Sequence, residues 1–435
     1  MKSRPIEVVI PSFRGHFGFV RDQLQSWVRF CLDVKRVRFS VVLSGESSEL
    51  QLFHRGLALA RRRLSVRLIT LPHLLALANE TIREEQLRKL QGIFHNPEQR
   101  PPWPGAMPLR KLDNHKHVLQ SAKKLYGCLA AHPKTRWCFV TDSETLLIRC
   151  IKLADVIEQW ASRRTILHNP AFKPPLVRPS SPRAVKRLYH QYGLWLCPRR
   201  VDAMLLGQDA PSTIGWMMES YTWFWERDVV KSFYQHLRDR NATPAQLWDR
   251  GAFGEDLRPN ETGKEPFVAG FPDGVACRTR LFIEQTLYTY IALSHASLPH
   301  PYTFVSTAAM AAAVSLPTSV VTAGVDHGTC SVGECLTALV PQMNLSQAVL
   351  AGRFLWEHKI PTISPRPERN ATCRYCFPAP RRLTPTEVAF LDASRVSFMT
   401  SGGLRDGPFG DYARSLNARR APIPKCTLPA ALSRP

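Results

Sequence analysis

Between Ile6 and Thr141 the sequence alternates apolar runs of strand length with stretches of helical period, and that alternation restricts the fold more than any other feature. IEVVI (6–10) is a short apolar run closed by Pro11. From Phe17, apolar residues fall at Phe17, Val20, Leu24, Trp27, Val28 and Cys31, the stripe of an amphipathic helix. VRFSVVLSG (37–45) alternates, then runs apolar to Gly45, and reads as a second strand. SSELQLFHRGLALARRRL is helical in pattern, VRLIT (66–70) is a third strand, and 73–93 is again helical. A proline-rich loop (96–108) precedes a basic helix over 109–131 with Leu112, Leu119, Ala122, Tyr126 and Leu129 on one face. RWCFVT (136–141) is a fourth strand. Strands alternating with helices predict an α/β fold, a mostly parallel sheet flanked by helices. Ligands of such sheets bind beyond the carboxyl ends of the strands, where PSFRGHF, SGESSE and TDSET all fall.

Further along, the pattern predicts a helix near 151–162, a strand in RTILHNP, and a helix opened by Ser181-Pro182. Amphipathic helices are expected over 221–240 and 281–295. Thr303–Val325 is uncharged and long enough to span a bilayer, but its alanines, serines, threonines and Pro317 leave it weakly apolar. A buried helix followed by a strand is expected there. Beyond 360, prolines crowd the chain and only PTEVAFLDASR reads as helix. There is no internal repeat. The expected organisation is one domain over 5–330, an extension over 331–400 packed on it, and an unpacked tail over 401–435.

With 58 Lys and Arg against 35 Asp and Glu, the chain carries a formal charge of +23. Such an excess suits an acidic partner: nucleotide phosphates, an anionic glycan, or peripheral contact with a membrane surface. The basic residues are spread out, and no segment resembles a zinc finger, a basic zipper or a ribonucleoprotein motif, so no specific nucleic-acid partner is expected. Cys373-x-x-Cys376 and Cys330-x4-Cys335 can join His327 in a zinc site, form two local disulfides, or remain thiols; the spacing matches no four-ligand zinc pattern. Five of nine asparagines (Asn79, Asn241, Asn260, Asn344 and Asn370) begin glycosylation sequons, which favours a Golgi or other secretory lumen. Pro244 behind Thr243 makes Asn241 a poor acceptor. Against a secretory route, the first residues run into the first strand without a signal-peptide pattern.

The fourth strand leads into Asp142-Ser143-Glu144. Two carboxylates at i and i+2, on the turn leaving a strand, can converge on a hard cation such as Mn²⁺ or Mg²⁺, which takes oxygen ligands and keeps room for substrate phosphates. A cation bridging a diphosphate stabilises the charge that develops as the diphosphate leaves. A solvated turn or a helix cap is the plain alternative.

With VVIPSF, VVLSG, PLRKLDNHKH, FVTDSET and LFIEQTLYTYI in this order, residues 5–330 resemble the GT-A-fold (Rossmann-like) glycosyltransferases, with Glu144 where their Asp-x-Asp motif usually ends in Asp. The resemblance implies a transferase that moves a sugar from a nucleoside-diphosphate sugar to a glycan or other acceptor with Mn²⁺ or Mg²⁺. It implies metal ligation by Glu144 and Asp142, the latter also reaching the ribose, with His327 as a further ligand. Pro11, Ser12 and Phe13 would border the nucleotide, Ser44 the base, and Arg110 and Lys111 the phosphates or donor sugar. Glu284 is the candidate acceptor base and Glu226 its rival. A catalytically silent protein that binds a glycan or nucleotide sugar is the alternative.

Overall fold

A computed structural model describes residues 6–84, 109–143, 145–147, 150–168, 201–208, 211, 217, 222–249, 256–257, 277–278, 283–294, 297–306 and 398–399. In chain order its principal elements are β1 (Ile6–Pro11), α1 (Phe17–Phe30), β2 (Val37–Leu43), α2 (Ser47–Gly56), α3 (Ala58–Arg63), β3 (Ser65–Thr70), α4 (Leu71–Leu77), α5 (Leu109–Leu129) and β4 (Trp137–Thr141). Then follow α6 (Leu153–Arg163), β5 (Thr165–His168), β6 (Thr222–Glu226), α7 (Arg227–Asp239), α8 (Pro244–Asp249), α9 (Ile283–Leu293) and β7 (Thr303–Ser306).

Five strands form one sheet in the order β3-β2-β1-β4-β6. The first four run parallel, with Val8 beside both Phe39 and Phe139 and Arg38 beside Ser65. β6 closes the order antiparallel to β4, Thr141 facing Thr222 and Trp137 facing Glu226. β1 is buried along its whole length, as expected of a parallel strand covered on both faces, and this is why IEVVI is apolar apart from Glu7, whose buried carboxylate pairs with Arg67 at 2.9 Å. On one face α1 lays Trp27 against Phe39 and Phe139, with ring centroids 5.5 and 5.9 Å apart. On the other, α5 crosses β1 and β2 closely: a Cβ on Gly127 would lie 2.6 Å from Val9 Cγ1 and 3.2 Å from Val42 Cγ2. The α/β class and the four leading strands agree with the sequence pattern.

Two expectations are corrected. The segment 221–240 is not one helix: Thr222–Glu226 is a strand, and the helix starts at Arg227. Its aromatic sequence TWFWE fits a pleated, half-covered surface, and Phe224 stacks on Phe139 at 4.7 Å. Thr303–Ser306, expected to open a buried helix, is a strand that pairs parallel with β5 from Thr165 to His168; the rest of 303–325 lies outside the described residues. Among the described residues no helix is long and apolar enough to cross a membrane. From the expected extension, Phe398 and Met399 pair with Leu147 and Leu146. The expected helix at Ser181-Pro182, the helix PTEVAFLDASR, Cys330, Cys335, Cys373, Cys376 and the tail lie outside the described residues.

Candidate functional site

The parallel register delivers the carboxyl ends of β1, β2 and β4 to one edge of the sheet, and Ser12, Ser44 and Asp142 are the residues that follow those ends. Asp142 is held on three sides. Its Oδ1 accepts from Gln120 Nε2 at 2.6 Å and from Lys124 Nζ at 2.8 Å. Its main-chain oxygen accepts from Gln23 Nε2 of α1 at 3.2 Å. Its Oδ2 has no hydrogen-bond partner among the described residues. Gln120 and Lys124 are four residues apart on α5 and so share one side of the helix.

Lys124 also donates to Glu284 Oε1 of α9, and both side chains are 3% exposed. Burial opposes the ammonium, but Asp142 and Glu284 outweigh it and hold its pKa well above the usual lysine range. The neighbouring Lys123 behaves in the opposite way. Its Nζ donates to the Ser12 carbonyl oxygen and to Ser44 Oγ, the latter at 2.8 Å. Burial pushes its pKa down to about 8, with Glu49 acting against the shift. Glu49 in turn accepts from the main-chain N–H of Ser44 at 2.7 Å and of Gly45 at 3.2 Å, which fixes the β2–α2 turn. Gly45 has φ 116°, a backbone conformation that a side chain would strain.

The β1 side of the crevice is a short aromatic loop. Phe13 lies 4.1 Å from His16 between ring centroids, and His16 Nδ1 is 2.6 Å from Ser143 Oγ. The nucleotide-side loop is therefore tied to the middle residue of Asp142-Ser143-Glu144. Ser12 Oγ is buried with no hydrogen-bond partner among the described residues, and a buried hydroxyl left in this way marks a place where a ligand can bond.

Pro11, Ser12, Phe13, Ser44, Asp142 and Glu284 thus come together around this edge. Arg110 and Lys111 open α5, about 20 Å along the helix from Lys124 at ~1.5 Å per residue, and their side chains lie outside the description. Glu226 is at the far end of the sheet, beside Trp137, where it bonds Arg136 Nε at 3.0 Å. Glu144 and His327 lie outside the described residues. Among the described residues no cluster of three or more His, Cys, Asp or Glu side chains is set to hold a metal.

Sequence reasoning missed Gln120, Lys123, Lys124, Gln23 and Glu49. A signal existed for the lysine pair. In SAKKLYG, Lys123 falls four residues after Leu119 and three before Tyr126, on the apolar side of the helix, where a cation needs a partner.

No family model and no curated protein matches the chain. Among solved structures, similar ones include S. aureus TarS 1–349 in complex with UDP-GlcNAc (10% identity over 40% of this chain, TM-score 0.22). Mouse xyloside xylosyltransferase 1 matches at 9% identity, covering 69% of this chain and 85% of its own, with TM-score 0.31. Core-mannan synthase A from Aspergillus fumigatus in its Mn/GDP form matches at 11% identity, covering 56% of this chain and 66% of its own, with TM-score 0.30. The match spans only 37% of the TarS chain. At such scores the likeness carries no weight for the site, which stands on its own geometry.

Proposed function

We propose that the chain is a glycosyltransferase whose nucleoside-diphosphate sugar binds beyond the carboxyl ends of β1, β2 and β4. The supporting observation is a carboxylate, Asp142, pinned through one oxygen by Lys124 and Gln120 and open at the other, beside the unpartnered hydroxyl of Ser12. This is an anchored acceptor next to an unused donor at the edge where open α/β sheets bind ligands. The order of sequence motifs supports the same reading.

The open oxygen of Asp142 suits a hard cation. Asp142 and Glu144 would hold Mn²⁺ or Mg²⁺, with His327 as a further ligand, and when bound the cation supplies charge neutralisation at the diphosphate. The chain's own contribution is positioning. Lys124 and Gln120 keep Asp142 in one rotamer, and Lys123 and Glu49 keep the Ser12 and Ser44 loops together. Glu284 is committed to Lys124 and buried, so in this reading it anchors the ammonium rather than taking a proton from the acceptor. That same commitment favours a second reading, a protein that binds the donor without transferring it.

The test is thermal unfolding with a panel of nucleoside diphosphates and their sugars, each with and without Mn²⁺, followed by donor hydrolysis. One nucleotide class should raise the transition, and Asp142→Asn should remove most of the rise. If no nucleotide moves the transition, or Asp142→Asn binds like the parent, the assignment fails. Binding without turnover of any donor selects the second reading.

A further inference from the structure

Because β1, β2, β3 and β4 run parallel and in register, the segments that enter them also share one end of the sheet, opposite the crevice. Those entering segments are basic. Lys35 and Arg36 immediately precede β2. Arg61, Arg62 and Arg63 close α3, with only Leu64 between them and β3. Lys134 and Arg136 lead into β4. Lys35, Arg61, Arg62, Arg63 and Lys134 are exposed.

Among the described residues the acids at this end are already paired, the exposed Asp155 and Asp228 each with a lysine three residues away, Lys152 and Lys231. Asp33 accepts from the N–H groups of Leu153 and Ala154 at 2.7 and 3.0 Å. Glu226 is 8% exposed and paired with Arg136 at 2.9 Å and Arg164 at 3.5 Å. From Leu50 to Asn79 the sequence contains no Asp or Glu. An apolar residue stands in the same patch: Leu59 of α3 is 64% exposed. By its spacing of three and four it shares a helix side with Arg62 and Arg63.

We propose that this end of the sheet, through Lys35, Arg36, Arg61, Arg62, Arg63 and Lys134, docks the protein on an anionic lipid surface, with Leu59 set among the headgroups. Charge alone suits any polyanion. The exposed leucine decides for lipid, since a hydrated glycan or nucleic acid offers it nothing to bury against, whereas a bilayer interface does. The topology adds a consequence: a surface bound at the amino ends of the strands leaves the crevice at their carboxyl ends open and facing away from it.

The experiment is sedimentation of the full chain with vesicles of phosphatidylcholine alone and of phosphatidylcholine with phosphatidylserine. Binding should need phosphatidylserine and should fall when salt is raised to about 1 M. The triple change Arg61→Glu, Arg62→Glu, Arg63→Glu should weaken binding roughly a hundredfold or more, and Leu59→Ser should weaken it several-fold. Both variants should keep the parent's thermal transition, which reports folding independently of any nucleotide. Equal binding to neutral vesicles, no binding to either, or a triple variant that binds like the parent would overturn the proposal. Binding to heparin without binding to vesicles, or Leu59→Ser with unchanged vesicle affinity, would assign the patch to a polyanion and overturn the lipid reading. None of these outcomes touches the crevice, so a failed donor-binding test and a failed docking test are separate results.

Discussion

The two adjacent lysines of α5 are both buried, and their surroundings drive them in opposite directions. Lys124 lies between Asp142 and Glu284. Removing the cation leaves two carboxylates facing each other out of water, and breaking a buried pair in this way costs about 3–5 kcal/mol. Lys124→Met should therefore lower stability to chemical denaturation by that amount. Adding Glu284→Gln should return more than half of it, because one of the uncompensated charges is then gone. If the double variant is no more stable than Lys124→Met, the three side chains do not form one charge unit. Lys123 gives a pH signature instead. Its folded pKa, about 8, lies below the ordinary value of 10.5. Between those two values the unfolded chain keeps a proton that the folded chain has shed, so stability rises with pH across the window, by about 3 kcal/mol. Below pH 8 both states are protonated and the whole burial penalty is present. Relative to Lys123→Met, the parent should gain stability as pH rises from 8 to 10.5; a constant difference over that range would mean that Lys123 is solvated.

At the level of elements, α5 determines whether the site exists. It carries Gln120, Lys123 and Lys124 to the crevice, and it can lie close to the sheet because position 127 has no side chain. Gly127→Val would drive methyl groups into Val9 and Val42, and overpacking of a filled core costs about 1–3 kcal/mol. The relief is for the helix to lift from the sheet, which moves Lys124 away from Asp142. The expected outcome is a lower transition temperature together with a weaker nucleotide-induced shift. A variant that loses stability but keeps the full shift would show that the lysines do not depend on this contact. The element scale also shows where the sequence pattern fails. β6 and α7 form one unbroken amphipathic run, and the strand is recognisable only through its partner: TWFWE extends because β4 offers it an antiparallel edge and Phe139 a ring to stack on. No period within 221–240 contains that information.

Across the whole molecule, the four parallel strands were legible one by one because β1, β2 and β4 are almost wholly buried and read as mainly apolar runs, whereas their order in the sheet appears only in the structure. The crevice was legible as three strand ends. The charge unit that includes Asp142 was not, since two of its members, Lys124 and Glu284, are 160 residues apart in sequence and meet only after α9 packs beside α5. Nor could the sequence separate Glu284 from Glu226 as candidate site residues, because both fall inside segments that read as amphipathic helices, 281–295 and 221–240. The fold separates them by polarity, with the two acids at opposite ends of the same sheet. β6 pairs Glu226 with Trp137, four residues before Thr141, or roughly 13 Å along the strand at ~3.3 Å per residue. Neutralising Glu226 at one end and Asp142 at the other should then have opposite effects. Glu226→Gln weakens the anchor of Arg136 and Arg164, so stability should fall by about 1–3 kcal/mol while nucleotide binding is unchanged. Asp142→Asn keeps an acceptor for Gln120 and changes stability less, but it should remove most nucleotide binding. Unfolding midpoints measured with and without the nucleotide give both quantities in one series. Loss of nucleotide binding in Glu226→Gln, with Asp142→Asn binding normally, would place the donor at the wrong end of the sheet and overturn the reading of the crevice.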